Sequence, residues 1–424
     1  MAQALDRKQF LGRSGIAVAA VAGFTSLEDV SAGAESGQSL RDWSSVRHQF
    51  RLEPGLIHFG AFLLASHPTA VRNAIERHRR KLDANPVDYL HDRWIPNEAR
   101  VLGAAAGYLG ANPRDVALTD STTMGLSLLY AGLDVRRGQE LLTTTHDFFV
   151  THESLSTKAS RSGATVRKIA LYDRPEAASE REIVDRIASA VRPETRVLAI
   201  TWVHSSTGVK LPVRKIAAAL GPLNAGRTDR DRVLLCVDGV HGFGIENVQV
   251  AKLGCDFFAT GCHKWLFGPR GTGLVWGAAR AWPFAASTIP SFTGTETPGG
   301  ANSPGGFHSF EHRWALAEAF QLHRRIGKAR IAARTHSLNR RLKEGLARMS
   351  HVTLHTPRSA SLSAGLVCFE VDRMSPDTVV NRLRARRVVA TVTPYSPSYV
   401  RLAPSILNTP TEVDRALDAI RRLR

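Results

Sequence analysis

Short apolar segments alternate with helical segments between residues 116 and 276 of this 424-residue chain. In chain order, the predicted strands are 116–119, 140–144, 166–170, 196–202, 233–237, 257–259 and 273–276, and the predicted helices are 122–133, 152–162, 183–191 and 213–220. Strands that are apolar throughout need helices on both faces of their sheet, so the alternation predicts a mostly parallel sheet and an α/β fold. Such sheets bind ligands at the carboxyl ends of their strands.

Two residues near these strand ends predict a cofactor. Asp238 directly follows the predicted strand 233–237, and Lys264 stands 26 positions later among the small residues of 259–264. A lysine amine forms a Schiff base with the aldehyde of pyridoxal 5'-phosphate, and a carboxylate keeps the ring nitrogen protonated so that the ring takes up electrons. The pair therefore predicts a pyridoxal phosphate enzyme. His241, three residues after Asp238, is expected to hydrogen-bond the ring oxygen.

The segment 118–125 predicts a phosphate anchor, because it carries several hydroxyl side chains between a strand and a helix. Hydroxyls and free backbone N–H groups at the positive end of a helix bind a dianion. Thr260 or His263 adds a further donor from the lysine segment. A threonine-rich helix cap without any ligand is the alternative.

A second α/β unit is predicted near the C-terminus. After the Gly- and Pro-containing stretch 293–306, a basic helical stretch runs from 314 to 349. Strands at 366–371, 388–392 and 399–402, a helix at 376–387 and a final helix with a Thr409/Glu412 capping box follow. We therefore expect a large cofactor-binding domain, 50–300, and a smaller C-terminal domain, 307–424, with residues 35–60 as a candidate part of the smaller domain. Arg401, on the last of these strands, fits an amino-acid carboxylate as a bidentate donor, with a surface arginine as the alternative.

The net charge of +18 comes from 56 Lys and Arg against 38 Asp and Glu. No interleaving of aromatic and basic residues and no zinc-finger spacing accompanies this charge, so basic residues on solvated helices are favoured over a nucleic-acid interface. The four cysteines lack zinc-ligand spacing and no HExxH motif is present, so no metal site is predicted.

Residues 1–34 have the layout of a secretory signal. Arg7-Lys8 precedes an apolar run at 15–24 and the small residues 32–34, which resembles a twin-arginine signal with lysine in the second position. This predicts export to the periplasm or out of the cell; a disordered arm on a cytoplasmic protein is the alternative. The apolar run is too short to span a membrane.

These motifs resemble the class V aminotransferase family of fold-type I pyridoxal phosphate enzymes, in particular its isopenicillin N epimerase-like members. The resemblance covers roughly 50–424 and is carried by three runs: the lysine run 263–273, Asp238-Gly239-Val240-His241, and Arg401 with 408–412. It implies a homodimer with an amino-acid substrate. It also implies a role for each of these site residues: Lys264 for the Schiff base, Asp238 for the ring nitrogen, His241 and Ser205 near the ring oxygen, Phe148 stacked on the ring, Thr122, Thr123, Thr260 and His263 at the phosphate, and Arg401 at the substrate carboxylate. His58 is a further candidate for substrate binding.

The chain departs from the family pattern at two places. Many relatives carry a Gly-Thr pair that reaches a phosphate across the dimer, where this chain has Glu311-His312-Arg313, and Arg313 is a candidate substitute. The loop cysteine of cysteine desulfurases has no counterpart, because Cys368 lies inside a predicted strand. Persulfide chemistry is therefore not expected.

The reaction at the α-carbon stays open at this stage. Epimerisation needs a second proton donor on the face opposite the lysine, where Phe148 cannot serve and His146, His152 and His58 are candidates. Transamination needs Lys264 and a second substrate, whereas β-elimination needs Lys264 as the sole base. An oxygen-using decarboxylation also remains, as does a cationic binding protein on an inactive scaffold. We favour an epimerase-like or transaminase-like enzyme.

Overall fold

The structure, a computed structural model, describes residues 40–423, and the predicted signal segment 1–34 lies outside the described residues. Its strands are β1 (Ile57–His58), β2 (Val116–Thr119), β3 (Glu140–Thr144), β4 (Thr165–Ile169), β5 (Thr195–Thr201), β6 (Leu234–Asp238), β7 (Phe257–Gly261), β8 (Gly273–Gly277), β9 (Val352–Leu354), β10 (Val367–Val371), β11 (Val388–Val389), β12 (Thr391–Val392) and β13 (Val400–Leu402).

Helices connect most of these strands. They are α1 (Trp43–His48), α2 (Thr69–Ala84), α3 (Pro86–Leu109), α4 (Thr122–Gly132), α5 (Phe149–Ser162), α6 (Glu180–Ala190), α7 (Val213–Asn224), α8 (Pro298–Ala301), α9 (Phe310–Ile326), α10 (Lys328–Leu346), α11 (Pro376–Ala385) and α12 (Pro410–Arg421). Ser121, Ser179 and Ser375 cap the helices that follow them, and the predicted capping box of Thr409 and Glu412 is formed. Within residues 40–423, no helix combines the length and the apolar character that crossing a membrane requires.

A seven-stranded sheet in the order β2-β8-β7-β6-β5-β3-β4 forms the centre of the molecule. Strands β3 to β7 are parallel, and only β8 runs antiparallel to its two neighbours. Every residue of six of the strands is buried, while the edge strand β4 is partly exposed. A sheet buried on both faces must be covered on both sides, so the predicted α/β fold with a mostly parallel sheet is confirmed.

A second, antiparallel sheet has the order β12-β13-β10-β9 and its own hydrophobic core. Val367 and Phe369 of β10 and Val400 and Leu402 of β13 are buried in that core together with residues of α10 and α12. The alternation of the strand places Arg401, between two core residues, on the opposite face of this sheet. The exact domain boundaries remain a prediction.

Two predicted elements are divided in the structure. The basic stretch 314–349 forms two helices, α9 and α10, because Gly327 between them has a φ of +95° that ends the first helix. The predicted strand 388–392 is two short strands with different partners, since β11 pairs with β1 whereas β12 pairs with β13. Pairing with residues far away in the sequence decided this division, which local propensity does not report.

Candidate active site

The ends of three central strands build the candidate site. Asp238 is the last residue of β6, Lys264 follows β7 by three residues, and Phe148 follows β3 by four. The sheet order places β6 between β7 on one side and β5 and β3 on the other. Lys264 and Phe148 therefore approach Asp238 from opposite flanks.

Lys264 and Asp238 influence each other's ionisation. Burial and, to a smaller extent, the charge of Arg401 lower the pKa of Lys264 to about 8, although the charge of Asp238 raises it. Burial also raises the pKa of Asp238 to about 6, although the N–H of Val240 donates to its Oδ1 at 3.0 Å and the charge of Lys264 favours the carboxylate. A neutral amine is therefore accessible near physiological pH at this lysine, which an exposed lysine does not offer.

His241 and Arg401 both pack against the ring of Phe62. The guanidinium of Arg401 stands 4.8 Å from the ring centroid of Phe62, and the ring of His241 is 6.0 Å from it in an edge-on arrangement. Burial, with the charges of Lys264 and Arg401, lowers the pKa of His241 well below its ordinary value. His241 is therefore a neutral imidazole that shares Phe62 with the guanidinium as a packing partner.

Arg401 is held by three acceptors that leave its outer edge open. Its Nε donates to Thr391 Oγ1 at 3.1 Å, one terminal nitrogen donates to the carbonyl of Ser205 at 3.2 Å, and the other donates to the carbonyl of Val392 at 2.9 Å. Since a guanidinium has five N–H donors, these bonds leave one on each terminal nitrogen. That pair suits a carboxylate that accepts two parallel hydrogen bonds.

A polar cradle fits the phosphate of the predicted cofactor. The Oγ1 of Thr122 and the Nδ1 of His263 are buried and have no hydrogen-bond partner among the described residues. A Cβ on Gly261 would lie 2.9 Å from the His263 ring and 3.0 Å from Thr122 Oγ1, so the glycine leaves the space between them free. Both groups lie at the N-terminus of α4, whose N–H groups attract an anion. The orphaned Nδ1 of His241 is a further buried group that a bound ring would satisfy.

The other two predicted phosphate contacts are placed differently. Thr123 is exposed in the first turn of α4, and the hydroxyl of the buried Thr260 donates to the carbonyl of Gly261 at 3.2 Å. Their roles stay predictions, because neither presents an unpaired buried hydroxyl as Thr122 does.

Sequence reasoning missed Asp147, a buried carboxylate beside Asp238. Its Oδ2 accepts hydrogen bonds from Thr143 Oγ1, Thr144 N and Thr144 Oγ1 at 2.7 to 2.9 Å, and its Oδ1 accepts one from Thr201 N at 2.7 Å. Thr201 is the register partner of Asp238. The charge of Asp147 adds to the rise in the pKa of Asp238. In the sequence, the hydroxyl-rich run 143–145 that precedes Asp147 is the signal that could have identified it.

Sequence reasoning also missed Tyr395, which reaches the site from the loop between β12 and β13. Its hydroxyl is 2.6 Å from Ser205 Oγ, and its ring packs edge-on against Phe148 at 6.1 Å between centroids. Nothing in the sequence Pro394-Tyr395-Ser396-Pro397 identifies a site residue.

The structure does not bring His58 to Lys264. The charges that act on its imidazole belong to Glu53, Glu412, Arg384 and Arg47, around β1, and burial lowers its pKa. A substrate-binding role for His58 therefore has no contact in this chain to support it.

The other two histidines proposed as proton donors are engaged elsewhere. His146 is stacked on Tyr172 at 4.0 Å, and its Nε2 accepts from the N–H of Leu171 at 3.1 Å. His152 donates from Nε2 to the carbonyl of Thr144 at 2.8 Å. Both imidazoles thus form hydrogen bonds with backbone groups near β3.

Arg313, the candidate substitute for a cross-subunit phosphate contact, is paired within its own chain. Its guanidinium donates to both carboxylate oxygens of Glu98 at 2.7 and 3.0 Å. The side chains are only 11% and 13% exposed, so the pair joins α9 to α3 in a mostly buried position. This contact accounts for Arg313 without a phosphate.

A family model for class-V aminotransferases matches residues 66–393, more than three quarters of the chain. The chain belongs to this family. The family depends on pyridoxal phosphate, and the orphaned groups described above fit that cofactor. The chain is thus a pyridoxal phosphate enzyme, and the alternative of a binding protein on an inactive scaffold is set aside.

Several known proteins are similar to the chain over most of its length. Isopenicillin N epimerase of Streptomyces clavuligerus is 26% identical over 411 residues, which cover 90% of this chain and 98% of that protein. A probable cysteine desulfurase of Pseudomonas aeruginosa is 27% identical over 332 residues, covering 73% and 78%. Among solved structures, a variant of C-DES with glycine covalently linked to its pyridoxal phosphate superimposes with a TM-score of 0.81 at 22% identity, covering 89% of this chain and 99% of that one. The fold of this class-V enzyme is therefore the fold-type I architecture that the motifs predicted.

Proposed function

We propose that this class-V enzyme inverts the configuration at the α-carbon of an amino acid, with Lys264 as its first base. The observation that carries the proposal is the grouping of Lys264, Asp238 and Arg401, each of which acts electrostatically on at least one of the others. The epimerase of Streptomyces clavuligerus matches over nearly its full length, which supports epimerisation over the other reactions at this carbon.

Each residue of the group has a separate task. Pyridoxal phosphate, when bound, supplies an electron sink for the α-carbon. Asp238 would keep the ring nitrogen protonated, and Thr122, His263 and the N-terminus of α4 would hold the phosphate. Arg401 binds the substrate carboxylate through its two open N–H donors and thereby orients the α-carbon.

Lys264 moves the α-proton. Its pKa of about 8 leaves a sizeable neutral fraction at pH 7.5, and only a neutral amine accepts a proton. Phe148, on the other flank of Asp238, would cover the ring as a flat apolar surface. Removal of the proton therefore takes place on the Lys264 side.

Persulfide formation lacks its nucleophile in this chain. All four cysteines are buried, and burial raises the pKa of Cys368 to about 12. A thiol without access and without thiolate character does not attack sulfur. The similarity to a probable cysteine desulfurase is therefore read as common ancestry of the scaffold, while a β-elimination with Lys264 as the sole base is the second candidate.

Chiral product analysis in D2O tests the proposal. The full chain loaded with pyridoxal phosphate is incubated with isopenicillin N and with a panel of L-amino acids. We expect the D-configured product to carry deuterium at the α-carbon and Lys264→Ala to abolish its formation. Release of a keto acid without inversion would establish transamination or elimination instead.

Assembly and export remain proposals. We infer a homodimer from the family pattern and a twin-arginine-type leader from residues 1–34. Sedimentation equilibrium tests the first, and N-terminal sequencing of protein recovered from the periplasm or medium tests the second.

A further inference from the structure

Tyr395 lies in the loop between β12 and β13, which is closed by hydrogen bonds between Thr393 and Tyr399. The N–H of Thr393 donates to the carbonyl of Tyr399 at 2.8 Å, and the N–H of Tyr399 donates to Thr393 Oγ1 at 2.8 Å, which closes the loop at its base. Tyr395 lies near the tip, with its hydroxyl 2.6 Å from Ser205 Oγ. The phenol is therefore held in a fixed position.

The contacts of Tyr395 place it on the opposite flank of Asp238 from Lys264. Its two partners, Phe148 and Ser205, follow β3 and β5, whereas Lys264 follows β7. In the sheet order β7-β6-β5-β3, Asp238 at the end of β6 separates the two groups. A cofactor ring held at its nitrogen by Asp238 would thus have the amine on one flank and the phenol on the other.

Arg401 connects the phenol to the substrate. The carbonyl of Ser205 accepts from Arg401 while its hydroxyl contacts Tyr395, so one residue holds both groups. The charge of Arg401 also acts on the Tyr395 hydroxyl. The α-carbon is bonded directly to the carboxylate that Arg401 would bind, and Ser205 places that carboxylate site and the phenol next to each other.

We propose that Tyr395 is the second proton donor and delivers a proton to the α-carbon on the side opposite Lys264. This inference rests on the proposed epimerase function. The Cα–H bond breaks on the Lys264 side and its proton forms an ammonium group at Nζ. The electron pair stays with the carbon and forms a new Cα–H bond with the proton of Tyr395, whose O–H bond breaks. The phenolate regains a proton from solvent and the ammonium loses one, so nothing is oxidised or reduced.

The surroundings suit a phenol that gives up a proton for a short time. Burial raises the pKa of Tyr395 to about 12, so the hydroxyl is protonated before the reaction. Ser205 and Arg401 oppose this rise and stabilise the phenolate when it forms. His146 and His152 are hydrogen-bonded to the backbone near β3 and are not offered as donors here. Tyr395, whose hydroxyl contacts Ser205, is the candidate proton donor on this flank.

Tyr395→Phe, with Tyr399→Phe as its matched control, tests the inference. Tyr399 belongs to the same loop, but its ring is stacked on His355 at 3.9 Å. The full-length proteins loaded with pyridoxal phosphate are given isopenicillin N and the amino-acid panel in D2O. In Tyr395→Phe we expect inversion to fall roughly 100-fold or more, as for loss of a general acid, while α-deuterium exchange with retained configuration continues. Tyr399→Phe should invert at the wild-type rate.

A readout without turnover separates binding from proton transfer. 2-Aminoisobutyrate has no α-hydrogen, and its dissociation constant is obtained from the change in the visible spectrum of the loaded protein. We expect Tyr395→Phe to bind it and the cofactor like the wild type. If Tyr395→Phe inverts as fast as wild type, or loses retentive exchange together with inversion, the inference is overturned while the proposed function stands. If wild type inverts no probe, both are overturned.

Discussion

Asp147 Oδ1 accepts a hydrogen bond of 2.7 Å from the backbone N–H of Thr201, the residue paired with Asp238 across β5 and β6. A second carboxylate is thereby fixed, through strand β5, to the register partner of Asp238. Its charge disfavours ionisation of Asp238 and so raises the pKa of that carboxyl. The negative charge of Asp147 also favours the protonated, positively charged form of a ring nitrogen that Asp238 would contact.

Asp147→Asn should destabilise the protein. An amide has one acceptor oxygen, so at least one of the four donors around Asp147 loses its partner in a buried position. We expect a loss of about 2–3 kcal/mol in the free energy of unfolding, measured by urea denaturation. Asp173→Asn is the control, because Asp173 is an exposed partner of Arg186 and its loss should change stability by less than about 1 kcal/mol. Equal effects of the two substitutions would contradict this account.

Pyridoxal phosphate uptake should follow the ionisation of Lys264. The pKa of this amine is lowered from 10.5 to about 8, so its neutral, nucleophilic form is lost as the pH falls below 8. We expect the second-order rate of uptake by cofactor-free protein to rise roughly tenfold per pH unit up to about pH 8 and then to level off. Stopped-flow absorbance measures this rate. A profile that continues to rise to pH 10 would show an ordinary lysine.

Asp238→Asn should move that profile to lower pH. The charge of Asp238 raises the pKa of Lys264, so its removal makes the amine neutral at a lower pH. We expect uptake to level off below pH 8, while the bound cofactor is held less tightly because the ring nitrogen loses its charged partner. An unchanged midpoint would mean that the two groups do not interact.

Arg313→Ala should affect stability rather than cofactor binding. Removal of the guanidinium leaves the carboxylate of Glu98 without its bidentate partner in a mostly buried position. We expect about 2–4 kcal/mol less stability, and partial recovery in the double variant Arg313→Ala with Glu98→Gln. The dissociation constant of pyridoxal phosphate, measured by equilibrium dialysis, should stay the same. A large loss of cofactor affinity at unchanged stability would favour the phosphate contact instead.

Arg401→Lys should weaken substrate binding although it keeps the charge. An ammonium group cannot form two parallel bonds to a carboxylate, and its three N–H donors are too few to serve Thr391, Ser205, Val392 and the substrate together. We expect the dissociation constant of 2-aminoisobutyrate to rise by about 10- to 100-fold. Arg341→Lys, at an exposed ion pair with Asp414, should leave it unchanged.

The residues near the ends of local elements were predictable from sequence. Asp238 and Thr122 were found because a short apolar strand ends before each of them, and Lys264 because small residues surround it downstream of that aspartate. His58 and Tyr395 show the opposite situation. His58 pairs with Val389, and this long-range pairing leaves it among Glu53 and Glu412, while the β12–β13 loop carries Tyr395 to Ser205, 190 positions earlier in the chain.

The sequence by itself determined the parallel α/β sheet and the cofactor, and it predicted the lysine for that cofactor, because each depends on residues close together in the chain or on a strand-helix period. The tertiary structure alone decided which groups surround that lysine. Arg401 stands over Phe62, Asp147 is tied to Thr201, and Tyr395 touches Phe148. These contacts join segments that only packing brings together, and no local pattern of apolar and polar residues records them.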